Sequence, residues 1–468
     1  MPHTTASVES QPSGQEQSQK WWVLVAIGIS TFMTALDTSV VNIVLPVVNQ
    51  DFHTSVATIE WVVIIYLLLV SGLLLTFGRL GDLRGHRRIF LTGFLIFVLS
   101  SMACGLAPGA GWLILFRGFQ AIGAAMLAAN SPAILTKSFP EHQRGQALGL
   151  QATMTYLGLT VGPSLGGWLT TQFSWRAVFY INVPVGALAL LLGFLFVPRD
   201  GGRANAEPFD LRGAALFMTG LTTLLLALSQ GESWGWASTP VLGLLLAAAV
   251  LLAVFLRLEL RVPSPMLDLS LFRNRLFSAS TASAVLNYIC VFSILFLMPF
   301  YLLQGRMMSP AQAGLVLSAQ PLVMAILAPI SGALSDRIGT RIPGTAGMVF
   351  LSIGLFLLAR VHESSPPSQL VLALVVAGLG IGIFVSPNNS ALMGSAPRNR
   401  QGIAAGIMAT ARSVGMVLGL GMAGAIFTTV LNGREPVASP QLFQAIQAGF
   451  VGALVVALLG TAITALRE

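Results

Sequence analysis

Apolar runs of about twenty residues recur along almost the whole chain, and no other feature constrains the fold as strongly. Such a run is long enough to cross the hydrocarbon core of a bilayer as an α-helix. Lipid offers the backbone no hydrogen-bond partners, so a spanning segment forms a helix or part of a closed barrel. The sequence therefore predicts an all-α polytopic membrane protein with fourteen transmembrane helices. The fourteen runs are residues 21–46, 57–78, 89–107, 111–136, 146–171, 176–197, 211–229, 239–258, 276–303, 311–335, 343–361, 369–394, 402–431 and 442–466.

The composition and the first residues agree with a membrane chain. Hydrophobic residues make up 55% of the sequence and charged residues 9%, against roughly 25% charged in soluble domains. Residues 1–20 are polar and rich in Gln and Ser, which predicts a disordered tail. The first apolar run is too long for a signal peptide and has no cleavage site. Cys104 and Cys290 fall inside apolar runs, so we expect no disulfide framework.

The positive charge is distributed unevenly between the two sides of the predicted spans. All but six of the 25 Lys and Arg residues lie on the side that both termini share. Cytoplasmic loops carry such an excess, so we expect cytoplasmic termini and a location in the cell inner membrane. This distribution, and not nucleic-acid binding, explains the net charge of +8. The six exceptions are Arg176, Arg306, Arg360 and Arg434 on the other side, and Arg117 and Arg412 within spans.

The chain contains an internal repeat. A shift of 257 residues superimposes seven identical residue types within residues 140–162, and the GRLGDLRGHRR loop after Gly78 matches GALSDRIGTR after Gly332 in its Gly…Asp…Gly spacing. Two related halves are therefore predicted. The seven pairs are Pro140/Pro397, Gly145/Gly402, Ala147/Ala404, Gly149/Gly406, Ala152/Ala409, Gly158/Gly415 and Gly162/Gly419.

The fifth span is rich in glycine. Gly158, Gly162 and Gly166 recur every four residues and so line one helix face, next to Gly167. In lipid, such a face lets another helix backbone approach closely. Pro163 removes a backbone hydrogen bond and bends the helix. The segment is either a tight packing face or a bending seam in a moving bundle.

Several segments together resemble the major facilitator superfamily, and specifically its fourteen-span drug:proton antiporter branch. They are ALDTSVVNIVLP, GRLGDLRGHRR, RGFQAIG and GPSLGG. The resemblance implies two six-helix bundles, residues 21–197 and 275–468, and two inserted helices with their linkers in residues 198–274. It also implies a proton-coupled exporter of hydrophobic or amphipathic molecules, such as antibiotics, that alternates access between the bundles.

The loop after the second span departs from the family pattern at two positions. Leu83 and His86 stand where the family has arginine, and we expect this change to loosen a cytoplasmic gate, although Arg84 and Arg88 keep the local charge. An acid at a helix corner can accept bonds from a helix N-terminus, so Asp82 and Asp336 are expected to hold the bundles together. The expected gate residues are Gly78, Asp82, Gly85, Arg87, Asp336 and Arg337.

Asp37, in the middle of the first span, is the leading candidate for carrying the coupling proton. An acid at that depth is costly and faces a cavity or a partner. At 1.5 Å per residue, Asp37 lies about 24 Å from one face and Arg117 about 9 Å from the other, so their depths nearly coincide in a core of about 30 Å. Arg412 is the alternative partner. Glu60, near the outer end of its span, either aids proton entry or is simply solvated.

Scattered polar residues are candidates for the substrate cavity, although each of them can also serve packing. No Asp or Glu lies within the last six spans, so dications are disfavoured against monocationic, zwitterionic, neutral or anionic compounds. The candidates are Tyr66, Gln120, Asn130, Gln151, Tyr156, Tyr288, Gln320 and Asn388.

The remaining motif searches restrict the function. The sequence has no GxxxxGK[ST] phosphate loop, no cluster of metal ligands and no candidate triad. We therefore expect no ATP-driven transport, no enzyme activity, no cofactor besides protons as coupling ion, and a monomer whose partners are lipid and a small substrate. Two alternatives stay open: export of a lipid or siderophore-like metabolite, and a gated channel or membrane receptor.

Overall fold

A computed structural model describes residues 14–199, 209–235, 238–262, 265–431 and 440–467. Its regular structure is helical, and most helices are long enough to cross a bilayer. The helices are α1 Gly14–Asp51, α2 Val56–Arg84, α3 His86–Gly105, α4 Ala110–Ser138, α5 Arg144–Gln172, α6 Ala177–Tyr180, α7 Asn182–Phe196, α8 Leu211–Trp234, α9 Thr239–Glu259, α10 Arg275–Pro299, α11 Pro310–Ile338, α12 Arg341–Ala359, α13 Pro367–Ser395, α14 Gln401–Leu431 and α15 Pro440–Ala465.

Thirteen candidate spans are found among the described residues, where the sequence predicts fourteen. The predicted span without a counterpart is α5, which is long enough at 29 residues but less apolar. Its glycines and threonines lower its hydropathy, and the helix packs between α1 and α11. Because protein covers much of its surface, α5 does not need the apolar exterior of a helix that faces lipid.

The first helix begins earlier than the sequence predicts. Residues 14–20 were expected to belong to a disordered tail, but they form the first turns of α1. Lys20 Nζ donates to Gln143 Oε1 at 2.8 Å, and Gln19 Nε2 donates to the Phe196 carbonyl at 3.3 Å. These contacts on α7 and on the turn before α5 fix the start of the helix. The rest of the expected tail, residues 1–13, lies outside the described residues.

Two sets of helices each enclose a hydrophobic core. The helices from α1 to α7 pack around residues such as Phe90, Phe94 and Phe97, and those from α10 to α15 pack around residues such as Leu351 and Phe384. We call these sets the N bundle and the C bundle. Helices α8 and α9 pair with each other, and α8 also lies against α2 and α14. Below, the terminus face is the face at which α1 begins and α15 ends.

The internal repeat is present in the packing. Equivalent glycines on α5 and α14 approach equivalent positions on α1 and α10, and these positions are 253 residues apart in each case (32 and 285, for example). On this register the repeat counterpart of Asp37 is Cys290, which is buried and uncharged. The contacts are Gly158 with Phe32, Ala35 and Leu36, and Gly415 with Val285, Tyr288 and Ile289.

Candidate functional site

Asp37 on α1 and Arg117 on α4 form a buried ion pair inside the N bundle. Arg117 Nη1 lies 2.6 Å from Asp37 Oδ2, and each residue is at most 2% exposed. The contact that the depth argument predicts is therefore confirmed. Removal of one partner from a buried pair of this kind leaves an uncompensated charge at a cost of about 3–5 kcal/mol.

Two amide side chains complete the environment of the carboxylate. Gln120 Nε2 and Asn182 Nδ2 donate to Asp37 Oδ1 at 3.0 and 2.9 Å. The same two amides lie 3.2 and 3.0 Å from Ser101 Oγ. Four helices, α1, α3, α4 and α7, thus converge on one carboxylate whose two oxygens are both bonded. Sequence analysis did not place Asn182 and Ser101 here; the available signal was a polar residue at the start of the apolar α7.

Arg117 has partners besides Asp37. Its Nη1 donates to Gln120 Oε1 at 2.7 Å and its Nε to the Val62 carbonyl at 3.3 Å. The guanidinium lies 4.1 Å from the centroid of the Tyr66 ring, a cation–π contact. Tyr66 and Gln120 were expected to line the substrate cavity, but both are buried in this network. Their burial has a simple cause: a buried guanidinium has several hydrogen-bond donors, and the polar groups around it serve as its partners.

Arg117 balances the negative charge of Asp37 as long as the two side chains stay in contact. Uptake of a proton would remove the negative charge and weaken the ion pair. A change in the charge of Asp37 would therefore alter the contact between α1 and α4.

A second set of contacts joins the two bundles near the terminus face. Asp82 at the end of α2 accepts from the backbone amides of Gly402 and Ile403 at 2.9 Å each. Asp336 at the end of α11 accepts from Gly145 and Gln146 at 2.8 and 2.9 Å. Each carboxylate therefore caps the N-terminus of a helix in the other bundle, where its charge interacts favourably with the helix dipole.

Glycine makes these contacts possible. A Cβ built on Gly78 would lie 2.2 Å from the Gly402 carbonyl oxygen, and one on Gly332 would lie 2.1 Å from the Gly145 carbonyl oxygen. Any side chain at these positions would separate the bundles. Gly85 has a φ of 98°, in the left-handed region that glycine adopts readily, and it makes the tight turn between α2 and α3.

His86 is part of this contact, and the expectation that it loosens a gate stays a prediction. It is the first residue of α3 and is buried, with Nε2 3.3 Å from Asp82 Oδ1 and Nδ1 2.8 Å from Asn130 Oδ1. Asn130 Nδ2 donates to the carbonyls of Phe77 and Met126, so the amide oxygen is turned towards the imidazole. Asn130 is therefore buried beside the contact between the bundles and is not exposed to a cavity, where it was expected.

The two basic residues of the expected gate have other positions. Arg87 Nη2 donates to the Phe194 carbonyl at 2.6 Å and its guanidinium lies over the Phe194 ring, so that it ties α3 to α7 within the N bundle. Arg337 is exposed at the end of α11.

The glycine face of α5 packs on α1. Added Cβ atoms at Gly158, Gly162 and Gly166 would collide with α1, whereas one at Gly167 would have no atom within 4 Å. The helix continues through Pro163, which is exposed. The packing interpretation of the first three glycines is therefore confirmed, and bending stays a prediction.

The remaining candidates lie in different places. Arg412 on α14 and Glu60 on α2 are exposed, and Arg412 does not contact Asp37. Tyr156 is buried, and Tyr288 is half-buried beside Arg412. Three other residues complete the set: Gln151, which bonds to Thr31 Oγ1 at 3.4 Å, Gln320, which is half-buried on α11, and Asn388, which is buried.

Asn388 is not open to a cavity, contrary to its predicted role. Its Oδ1 accepts from Arg467 Nη1 at 3.1 Å and its Nδ2 donates to the Ser280 carbonyl at 2.9 Å. Both partners lie at the ends of helices near the terminus face. The Arg467 guanidinium, which is 1% exposed, requires such an acceptor.

On the opposite face, Asp51 ties the end of α1 to the connection between α5 and α6. Its carboxylate accepts from Trp175 Nε1 at 2.9 Å and from Arg176 at 3.1 Å. The Trp175 hydrogen bond, aided by Arg176, holds the pKa of Asp51 below its usual value.

Comparisons with known proteins agree with this fold. The family model described as Major Facilitator Superfamily matches residues 27–274 and 280–467. The riboflavin transporter RibZ of Clostridioides difficile is 36% identical over 88% of this chain and 90% of its own length. The multidrug resistance protein Stp of Mycobacterium tuberculosis is 35% identical over 87% of this chain and 76% of its own. A crystal structure of the human organic anion transporter MFSD10 (TETRAN) superimposes with a TM-score of 0.68, at 15% identity, over 97% of this chain and all of that one. The chain therefore belongs to the major facilitator superfamily of membrane transporters.

Proposed function

We propose that the protein is a proton-coupled antiporter that exports hydrophobic or amphipathic small molecules, such as antibiotics, by alternating access. The observation that carries the proposal is the buried Asp37, whose charge is balanced by Arg117 and whose second oxygen accepts from Gln120 and Asn182. A carboxylate in a membrane core is expensive, and its retention there favours a role in ion movement. Similarity to a multidrug resistance protein supports the substrate class.

The bundle contacts supply the second half of the mechanism. Contacts between the bundles run from Gly78 and Gly402 at the terminus face up to the Thr153 hydroxyl, which donates to the Ala325 carbonyl at 2.9 Å. This structure is therefore closed on the terminus face. Alternating access requires these contacts to break while the opposite side closes. In our proposal, protonation of Asp37 loosens the pair with Arg117 and lets α1 and α4 move in that transition.

The topology belongs to the same proposal. Fourteen crossings with α5 included, two of them inserted between the six-helix bundles as α8 and α9, place both termini on one side. The excess of Lys and Arg on that side supports a cytoplasmic location in the inner membrane. The protein is proposed to work as a monomer with no cofactor.

The test of the coupling role is transport by purified protein in proteoliposomes with an imposed pH gradient. Asp37→Asn should abolish uphill substrate movement and leave substrate exchange without a gradient, because the amide can neither bind nor release the proton. Asp51→Asn is the matched control, since Asp51 lies on the same helix but outside the membrane core. Uphill transport by Asp37→Asn with an unchanged pH dependence would show that Asp37 is not the coupling residue.

A second candidate function follows from the similarity to a riboflavin transporter. On that reading the substrate is a flavin-like vitamin, moved in either direction by the same fold. Competition between riboflavin and a panel of antibiotics in the same proteoliposomes separates the two. Riboflavin flux that no antibiotic inhibits would favour the second candidate.

A further inference from the structure

Arg412 is an exposed arginine at the depth of the membrane core. It lies eleven residues beyond Gln401, the first residue of α14, which is about 16 Å into the helix at 1.5 Å per residue. The hydrocarbon core is about 30 Å thick, so this position is near its middle. A charged side chain at that depth is stable only when it faces the bundle interior or a water-filled cavity.

Its neighbours show which way it faces. The Arg412 guanidinium lies 5.9 Å from the centroid of the Tyr288 ring on α10, and it is close enough to Tyr156 on α5 to interact with it electrostatically. Because α10 belongs to the C bundle and α5 to the N bundle, Arg412 faces the space between them. Two contacts between the bundles, at Gly406 on α14 and Thr153 on α5, lie closer to the terminus face than Arg412 does. Arg412 therefore faces the space between the bundles, on the side of these contacts that is away from the terminus face, and this space is called the cavity below.

The charge of this cavity is not balanced by protein groups. Within the described parts of the chain, no carboxylate lies at ion-pair distance from Arg412, and its guanidinium donates no hydrogen bond. Asp37 is already neutralised by Arg117. The repeat counterpart of Arg412 is Thr155, a neutral residue, so the fold itself does not require a charge at this position. The fixed charge that the cavity presents is positive.

We propose that Arg412 binds the anionic group of an aromatic substrate, with Tyr288 and Tyr156 beside its ring; this inference rests on the proposed function and specifies its substrate class. A guanidinium presents paired donors that match a carboxylate or sulfonate, and it forms the stronger, charge-assisted kind of hydrogen bond. The half-buried Tyr288 offers a ring face for a planar ring, and the buried Tyr156 packs on the other side of the space. The substrate's anion would supply the countercharge that the protein does not.

The test compares 2-naphthoate with its uncharged amide, 2-naphthamide, by equilibrium dialysis against protein in lipid nanodiscs, with empty nanodiscs as blank. The wild type should bind naphthoate more tightly than naphthamide. Arg412→Gln should lower naphthoate affinity at least about tenfold, which corresponds to about 1.4 kcal/mol. It should change naphthamide affinity by less than about twofold, and this retained binding also shows that the variant is folded. Arg412→Lys keeps the charge and should retain most of the naphthoate affinity.

Three outcomes would overturn the inference. They are naphthamide binding at least as tight as naphthoate binding in the wild type, absence of binding for both, and an Arg412→Gln variant that loses both ligands equally or neither. A separate measurement tests the proposed function: if proteoliposomes with the wild-type protein move no compound against its concentration gradient, that function is wrong. If transport of every substrate by the Arg412→Gln variant no longer depended on pH, Arg412 would be assigned to proton coupling instead of substrate binding.

Discussion

At the scale of single residues, the contact between the bundles at the terminus face includes a hydrogen bond whose direction is fixed by its neighbours. The Asn130 amide nitrogen donates to two carbonyls, so its oxygen points at His86 Nδ1, which has to donate. His86 Nε2 then faces Asp82 across 3.3 Å. His86 therefore lies between the Asn130 amide oxygen and the Asp82 carboxylate, at the position where the family pattern has an arginine.

The first prediction concerns this histidine. His86→Leu should weaken the hold of Asp82 on α14, because Asp82 loses its buried basic neighbour, at a cost of about 1 kcal/mol. Hydrogen exchange of the amides of Gly402 and Ile403 should then be about fivefold faster by the Boltzmann relation. Asp82→Asn should accelerate the same amides and reduce transport while the protein stays folded.

The controls for this prediction lie in the same molecule. His86→Arg should keep slow exchange, since it restores a permanent positive charge. The amides of Gly145 and Gln146, which Asp336 holds at the other contact, should exchange at their wild-type rates. Unchanged exchange at Gly402 in His86→Leu would contradict the assigned role.

At the scale of helices, α5 and α14 are equivalent elements with different chemistry. The N-terminus of each helix is capped by a carboxylate of the other bundle, Asp336 for α5 and Asp82 for α14. Each helix also packs a glycine face on a partner, α5 on α1 and α14 on α10. The charges do not follow this repeat, since Asp37 corresponds to Cys290 and Arg412 to Thr155. The scaffold is therefore symmetric and the proposed proton and substrate sites are not.

The second prediction uses two glycines that differ in their surroundings. Gly332→Ala should disfavour the closed terminus face, because its new methyl group would overlap the Gly145 carbonyl, and overpacking costs about 1–3 kcal/mol. Gly167→Ala is the matched control, since an added Cβ there meets no atom within 4 Å and alanine favours a helix. Thermal stability and transport rate in proteoliposomes should fall for Gly332→Ala only. If the two variants had equal thermal stability and equal transport rates, the close contact between Gly332 and Gly145 would not be needed for closure.

Sequence reasoning reached the helical elements and the ion pair, but not every side chain. Helix positions follow from apolar runs, and the Asp37–Arg117 contact followed from depth along two helices. Apolar runs and depth do not predict which neighbouring element a side chain faces around its helix axis. Asn130 and Asn388 were therefore expected in a cavity, although buried histidine and arginine neighbours take up their amides. Contacts at distant sequence positions, such as Asn182 with Asp37, are invisible to local patterns.

At the scale of the whole molecule, the two acid contacts lie on the same face and act in parallel. Asp82 and Asp336 each link one bundle to the other, so neither half can open this face alone.

The third prediction follows from the proposed topology. Reporter fusions after residue 201 and at the C-terminus should both report the cytoplasm. Six crossings precede residue 201 and fourteen precede the C-terminus, and an even number of crossings returns the chain to the side on which it began. An external signal from either fusion would contradict fourteen crossings.

The same two contacts make the closed face sensitive to salt. Each is an attraction between a carboxylate and a helix N-terminus, and dissolved ions act on these groups chiefly once the face opens, since Asp82 is buried while it is closed. When the face opens, four backbone amides at the ends of α5 and α14 lose their acceptors, and dissolved anions can take their place. High ionic strength on the terminus face should therefore raise the population of the state open to that side. In the proposed mechanism, the solution that bathes this face, and not only the proton gradient, would then influence how the transporter divides its time between its two states.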